Sequence, residues 1–330
     1  MDYVPLGSSG LKVSRLAFGA MTFGGGQSFR GFKSDVGQRD ADQMVAAAVD
    51  AGINVFDSAD SYADGQSEAI LGEAVRKTGR RQDLVIATKV ASVLSDDPND
   101  RGLSYRHVLH GCEASLKRLN TDWIDLYQCH TVDWTTPIEE TLRALDEVVR
   151  RGWVRYVGFS NWPAWRAAQA VTLQRERGFA PFVSAQVYYS LVGRDLEQEL
   201  LPFFRSNGIG TFIWSPLAGG FLTGKYTRED PSGGGARLAE FSFPPIDRER
   251  GYDVVDAVEG VADAHETTPA QVALAWGLRH PHVISIPKAS DLAHVRENAG
   301  AANLLLADDD LAEIDAAHPV PTRKRPLDLL

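Results

Sequence analysis

Cysteine is scarce in this chain. Its 330 residues hold two, Cys112 and Cys129, at a spacing that no metal site uses. No disulfide framework and no metal centre is expected, and a reduced intracellular setting is the simplest inference. Long apolar runs are also missing, and with no stretch of about 18 such residues no membrane-spanning helix is expected. The opening Met1-Asp2-Tyr3-Val4-Pro5-Leu6-Gly7 has no basic segment followed by an apolar one, so it is not read as a signal peptide and the cytoplasm is the expected compartment. Positive charge is in deficit, 34 Lys and Arg against 44 Asp and Glu, for a net charge of -10. That balance excludes non-specific attraction to nucleic acid or anionic membrane, though a local basic pocket for a phosphorylated cofactor stays open. Finally, no Gly-x-Gly-x-x-Gly occurs. Gly24-Gly25-Gly26 and Gly233-Gly234-Gly235 both lack the third glycine in register, so a Rossmann dinucleotide site is not supported.

What is present is ordinary globular composition, 44% hydrophobic and 24% charged, in a strict rhythm. Val4 to Ser14 reads as a hairpin capping one end of a domain. Short apolar runs follow at Leu16-Ala17-Phe18, Asn54 to Asp57, Leu84 to Thr88, Ile124 to Gln128, Tyr156 to Phe159, Ser184 to Val187, Gly210 to Trp214 and Val283 to Ile286. Between them lie helix-like segments: Ala41 to Ala51 with Asp40 as N-cap and Gly52 as stop, Ser67 to Lys77, and Tyr105 to Leu119 with Ser104 as N-cap. Four more are Ile138 to Arg150 entered through Pro137, one from Pro163, Leu196 to Ser206, and Leu292 to Gly300. Such alternation implies parallel strands joined by helical crossovers. Eight units without a composition break predict one domain over 1–330, an α/β fold closed as a (β/α)8 barrel rather than an open doubly wound sheet. Two stretches break the rhythm: a long Gly/Pro-rich loop after the seventh strand, Pro216 to Asp247, and a C-terminal tail from Pro319 whose Arg323-Lys324-Arg325 reads as solvated.

Four polar residues sit where a run gives way to a loop: Asp57, Tyr62, Lys89 and His130. Each alone has a plain structural role as a cap, surface aromatic, salt-bridge partner or strand-end polar group. Together, at the C-terminal ends of consecutive barrel strands, they share the face where this fold builds active sites. A phenol with an ordinary pKa near ~10 is a poor acid at neutral pH, and a buried ammonium beside it favours the phenolate. Lys89 is expected to supply that charge, Asp57 to keep Lys89 protonated, His130 to polarise a carbonyl and Tyr62 to give the proton. A hydride source is then required. Candidate positions for it are Gly158-Phe159-Ser160-Asn161, suited to a carboxamide; Gln186; Trp214-Ser215-Pro216-Leu217, whose indole could stack on a nicotinamide; and Ile286-Pro287-Lys288-Ala289-Ser290 with Arg296-Glu297-Asn298, an anion site.

With these residues in view, the chain resembles the aldo-keto reductase family from about Leu6 to Leu306. Gly52-Ile53-Asn54-Val55-Phe56-Asp57-Ser58-Ala59-Asp60-Ser61-Tyr62 is similar to the family's Asp-Tyr signature, and Lys89 and His130 match its other two catalytic positions. The resemblance implies catalysis by Asp57, Tyr62, Lys89 and His130 and an extended NADPH across the barrel mouth. Its contacts would be Gly19, Met21, Thr22, Asp57, Ser160, Asn161, Gln186, Trp214, Ser215, Pro216, Leu217, Gly219, Lys225, Ile286, Lys288, Ser290, His294, Glu297 and Asn298. Phe23, Trp134 and Tyr189 are the aromatic candidates for a substrate pocket beside Tyr62 and His130, shaped by the long loop, Thr131 to Thr136 and the tail. Ser290 and His294 stand where many NADPH-using members carry arginine. Lys288 keeps a positive charge, and NADPH is preferred over NADH. The expected substrates are aldehydes and ketones, or sugars and alcohols oxidised in reverse. A small molecule is thus the partner, with an oligomer possible and neither nucleic acid nor membrane expected. Some family members instead serve as cofactor-sensing subunits of channels, which is the alternative reading. A phosphorylated-sugar isomerase is a third, and it predicts turnover without nicotinamide.

Overall fold

Eight of the short apolar runs pair side by side in parallel, in a computed structural model that describes residues 1–29, 32–234, 238 and 243–320. The chain opens with β1 (Tyr3–Pro5) and β2 (Lys12–Ser14), an antiparallel hairpin. After β3 (Phe18–Gly19) a second small hairpin, β4 (Gln27–Phe29) and β5 (Phe32–Ser34), leads to α1 (Gln38–Asp50). Then come β6 (Val55–Asp57), α2 (Gln66–Thr78), β7 (Val85–Val90), α3 (Tyr105–Leu119), β8 (Ile124–Cys129), α4 (Ile138–Arg150), β9 (Val154–Ser160) and α5 (Ala164–Arg177). The last third holds β10 (Phe182–Tyr188), α6 (Leu200–Asn207), β11 (Gly210–Trp214), α7 (Arg248–Ala264), α8 (Pro269–Gly277), β12 (Val283–Ile286), α9 (Leu292–Gly300) and α10 (Asp308–Ala317).

Strand order is β3-β6-β7-β8-β9-β10-β11-β12, and parallel bridges Leu16↔Ser285 and Gly19↔Lys288 join the two ends. Ala17 N–H donates to the Ser285 carbonyl at 2.8 Å and Ser285 N–H to the Arg15 carbonyl at 2.9 Å. This is the expected (β/α)8 barrel with its N-terminal hairpin. Inside it, Ala17, Val55, Val85, Ala87, Leu126, Val183, Phe212 and Ile284 form a core with Leu6 and Val13 of the hairpin, which plugs the floor. Gly7, at φ +58, makes that plug possible, since a Cβ there would meet the Gly210 nitrogen at 2.8 Å. A larger apolar layer lies between the strands and the surrounding helices.

The helices refine several expectations. Ser104 caps α3 by accepting from His107 N–H, and Gly52 follows α1 at φ +85, both as expected. Asp40, however, is not an N-cap. Gly37 holds that place with extended backbone, and Asp40 falls in the first turn, where its charge suits the helix dipole. The single helix expected over Leu196 to Ser206 is instead a short turn at Asp195–Glu197 followed by α6. Pro202 lacks an N–H and is tolerated only in a first turn, which sets the start at Leu200. Helices α7, α8 and α10 had no counterpart in the sequence reading. The basic cluster of the tail, Arg323-Lys324-Arg325, lies outside the described residues, as do residues 235–237 and 239–242 of the long loop.

Candidate active site

Asp57 closes β6 and Lys89 lies next to the end of β7, in adjacent parallel strands, so both point into the barrel's upper end. Tyr62 arrives from the turn after β6. Ala63, Asp64 and Gly65, all with positive φ (48°, 51° and 85°), reverse the chain immediately beyond it and deliver it into α2. His130 directly follows β8, its N–H bonded to the Val90 carbonyl at 2.8 Å.

The four come together. Lys89 is fully buried, and its Nζ donates to Asp57 Oδ2 at 2.6 Å, to the Ser58 carbonyl at 2.8 Å and to Tyr62 Oη at 3.4 Å. Asp57 Oδ1 in turn accepts from Gln186 Nε2 at 2.9 Å and Gln128 Nε2 at 3.2 Å. The Tyr62 and His130 rings meet edge to face with centroids 5.7 Å apart. Burial pulls the Lys89 pKa down, but the Asp57 and Tyr62 charges and their hydrogen bonds outweigh it, and the net shift is upward. Lys89 is an ammonium.

For Tyr62 the balance differs from the sequence expectation. Burial raises its pKa more than the Lys89 charge lowers it, with Asp57 adding a further rise, so the phenol sits above its ordinary value. The proton therefore stays on the oxygen at neutral pH, and Lys89 offsets only part of the burial penalty.

Sequence reasoning missed the polar layer beneath. Gln128, near the end of β8, braces Asp57. Asp60 is buried beside Ser61, its backbone N–H on the Lys89 carbonyl at 3.2 Å, and neither carboxyl oxygen has a side-chain hydrogen-bond partner. The nearby Glu68 is engaged with Thr88 at 2.5 Å and Arg118 at 2.6 Å, leaving no cation for Asp60 alone. Burial first, then the Glu68 charge, raises the Asp60 pKa well above the usual range despite Arg118 and Lys89, so it is held neutral. Its sequence signal was only a second acid, after Asp57, among small residues.

Along the remaining rim, register sets Ser160 beside Gln186, Trp214 beside Tyr188 and Ile286, and Gly19 beside Lys288. Asn161, at φ +59, donates to the His130 carbonyl at 3.4 Å and accepts from Trp214 Nε1 at 3.0 Å, tying three strand ends together. Trp214 packs against Tyr188 (5.0 Å) and lies parallel to Phe243 (5.6 Å, 7°). Ser215 (φ 53°) and Gly219 (φ 69°) bend the following turn, with Ser215 Oγ accepting from Gly219 N–H at 3.1 Å; Pro216 and Leu217 lie between them. Lys225 closes that turn, next to the Tyr226 ring. Thr22, adjacent to Met21, donates to the Ala289 carbonyl at 2.9 Å. Ser290 Oγ lies 3.2 Å from His294 Nδ1, Asn298 Nδ2 donates to the Lys288 carbonyl at 3.3 Å, and the Glu297 carbonyl accepts from Gln271 at 3.0 Å. Gln186, also expected at the cofactor, gives one amide N–H to Asp57 Oδ1 at 2.9 Å.

Two expected pocket residues are not brought to this group. Phe23 is fully buried against Phe18, with ring centroids 5.5 Å apart. Tyr189 is fully buried against Trp276, its hydroxyl on Glu197 at 2.7 Å, because the adjacent Tyr188 takes the side facing Trp214. Trp134 is exposed on the loop after β8. Among the described residues no group of His, Cys, Asp and Glu is placed to hold a metal, and no helix is long and apolar enough to cross a membrane.

The model of the Aldo/keto reductase family matches residues 15–319. A "Probable voltage-gated potassium channel subunit beta" of Arabidopsis thaliana is 39% identical over 319 residues, 92% of each chain. A "Probable aldo-keto reductase 1" of Glycine max is 35% identical, over 96% of this chain and 89% of the relative. A "Versiconal hemiacetal acetate reductase" of Aspergillus parasiticus is 32% identical, over 97% of this chain and 99% of the relative. Barrel, mouth and these likenesses agree: the chain belongs to the aldo/keto reductase family, and with it to the oxidoreductases that draw on NAD(P)H.

Proposed function

We propose that this chain reduces aldehydes and ketones to alcohols with NADPH, Tyr62 giving the proton. The observation that carries the reading is one buried ammonium, Lys89, lying 2.6 Å from Asp57 and 3.4 Å from Tyr62 Oη. A phenol held neutral by burial has its proton available for donation at neutral pH. The phenolate left behind then lies beside Lys89, so the cation acts on charge as it develops. Asp57, braced by Gln128 and Gln186, keeps Lys89 charged and fixed in direction. His130, edge-on to Tyr62, orients the carbonyl oxygen between the two rings.

The rim suits a nicotinamide dinucleotide by its donor set. Ser160 and Asn161 offer hydroxyl and amide groups for a carboxamide, and Trp214 offers an indole plane. Lys288 with Ser290 and His294 provides a cationic end that favours the extra phosphate of NADPH over NADH. Gly19, Met21, Thr22, Ser215, Pro216, Leu217, Gly219, Lys225, Ile286, Glu297 and Asn298 would line the remainder. At Gly219 a Cβ would sit 2.9 Å from Leu238, so that turn is built for bare backbone. When bound, the dinucleotide supplies the hydride.

Tyr62→Phe tests the reading: kcat with a simple aldehyde should fall at least about a hundredfold while NADPH affinity holds. Turnover within a few-fold of wild type removes Tyr62 from the chemistry. A second reading rests on the Arabidopsis relative's name: the chain assembles with a potassium channel as a cofactor-sensing subunit. Co-sedimentation with channel-containing membranes supports it, and the intact site is compatible with both.

A further inference from the structure

The phenol reaches the barrel mouth on a strained piece of chain. Tyr62 is followed by Ala63 (φ 48°, ψ 46°), Asp64 (φ 51°, ψ 42°) and Gly65 (φ 85°), left-handed residues in a row, of which Ala63 and Asp64 carry a Cβ. Such backbone persists only where its surroundings hold it. Before the turn, Asp60 N–H donates to the Lys89 carbonyl and Tyr62 N–H to the Ala59 carbonyl, both at 3.2 Å. Beyond it the chain runs straight into the first turn of α2, and polar side chains fix that turn. Ser67 Oγ donates to the Ala20 carbonyl at 2.8 Å and lies 2.9 Å from Ser58 Oγ. Glu68 is fully buried. One of its oxygens accepts from Thr88 Oγ1 at 2.5 Å, next to Lys89 in β7, and the other from Arg118 Nε at 2.6 Å.

Arg118 reaches this corner from the last turn of α3 and acts on it twice. Its side chain lies directly on Gly65, where a Cβ would sit 2.6 Å from Arg118 Cδ and 2.9 Å from Nε. Its guanidinium also supplies the counter-charge for Glu68, which would otherwise be a buried carboxylate with the Thr88 hydroxyl as its donor and the buried Asp60 close by. A further N–H goes to Ser115 Oγ at 3.3 Å, one turn back on α3, and aims the side chain. Close packing of Gly72 in α2 on the backbone of Leu119, the neighbour of Arg118, keeps the two helices in register. The hydrogen bonds of Arg118 thus go to Glu68 and Ser115 rather than to the reacting groups, yet they govern the segment that carries one of them. The margin is small. At 3.4 Å the Tyr62 to Lys89 contact is already at the long end of a hydrogen bond, so relaxation of the turn by a few tenths of an ångström loses it.

We propose that Arg118 is a positioning residue for the proton donor: by covering Gly65 and pairing with Glu68 it holds the strained turn that keeps Tyr62 Oη against Lys89. This rests on the carbonyl-reductase reading above. The competing role is that of an ordinary buried ion pair joining α2 to α3. Such a pair changes stability and leaves the chemical step alone, and the two roles separate in kinetics.

The test is a double-mutant cycle read in kcat, with propanal and NADPH. Arg118→Met should lower kcat about tenfold while KM for NADPH stays within about twofold, and Arg118→Lys, which keeps the charge, should recover most of the loss. In a Tyr62→Phe background Arg118→Met should cost less than about twofold more, because a residue acting through the phenol then has nothing left to position. Since Arg118→Met strands the Glu68 carboxylate and could unfold the chain, Glu68→Gln with Arg118→Met is the second variant. It should return the urea midpoint towards wild type while kcat stays low. Wild-type kcat in the folded Glu68→Gln, Arg118→Met protein overturns the proposal, as does a full tenfold further loss in the Tyr62→Phe background. If wild type reduces no aldehyde, it is the reductase reading that fails. The turn is then judged by hydrogen exchange of the amides of residues 62–67, and equal rates in wild type and the Glu68→Gln, Arg118→Met protein refute the role of Arg118.

Discussion

Replacing Lys89 with methionine removes one charge and keeps most of the side-chain volume. Two separate losses should follow. At 3.4 Å from Tyr62 Oη, a full positive charge acting on a phenolate is worth about 5 kcal/mol at an effective dielectric near 20. Taken as an upper bound, that is between three and four orders of magnitude in kcat. The second loss is stability. Asp57 would be left buried, holding its charge with only the Gln128 and Gln186 amides as donors, and stranding one member of a buried pair costs about 3–5 kcal/mol. The two losses separate in a double variant. Asp57→Asn with Lys89→Met removes the stranded carboxylate, so the urea midpoint should recover most of the way while kcat stays low. Steady-state kinetics with a simple aldehyde and urea unfolding of the single and double variants provide both readouts. Retention of kcat within tenfold in Lys89→Met, or a double variant as unstable as the single one, would refute the electrostatic argument.

Asp60 gives a pH prediction. Its folded pKa is raised, so its contribution to stability is full below the ordinary carboxylate range and is lost as pH rises through the raised value. Asp60→Asn should flatten the fall of the melting temperature between about pH 5 and 8, and an unchanged slope would show the carboxyl is not held neutral. Gly72 of α2 faces the backbone of Leu119 at the end of α3, and a Cβ there would lie 2.8 Å from the Leu119 Cα. Gly72→Ala should therefore destabilise by about 2–3 kcal/mol despite alanine's better helix propensity, and a raised unfolding midpoint would contradict the close packing. Removing the Lys288 charge as Lys288→Ala should raise KM for NADPH several-fold more than KM for NADH; equal effects would place the phosphate elsewhere.

The barrel was legible because parallel β/α alternation gives each strand its own apolar run and some helices a readable cap, as Ser104 and Gly52 illustrate. Asp57, Lys89 and His130 were legible because they stand at the ends of those runs, and Tyr62 because it lies in the loop just beyond Asp57. Helix α7 was not, because valines at 254, 255, 258 and 261, with Gly251 and Gly260, are poor helix formers that only packing makes helical. Tyr188 and Tyr189 show a finer limit. Neighbouring residues at a strand end face opposite ways, and the sequence does not say which tyrosine turns toward Trp214. The Tyr62 pKa was read with the wrong sign for a similar reason: the cation is visible in the sequence, whereas the depth of burial is not.

The stopper formed by Leu6 and Val13 has a consequence for the chemistry far above it. With the lower opening sealed by hydrocarbon, solvent can approach Lys89 and Asp57 only from above, where reactants enter and products leave. A chain lacking residues 1–11 would admit water from underneath and hydrate the ion pair. It would then weaken the field on the phenolic oxygen without altering a single group in contact with substrate.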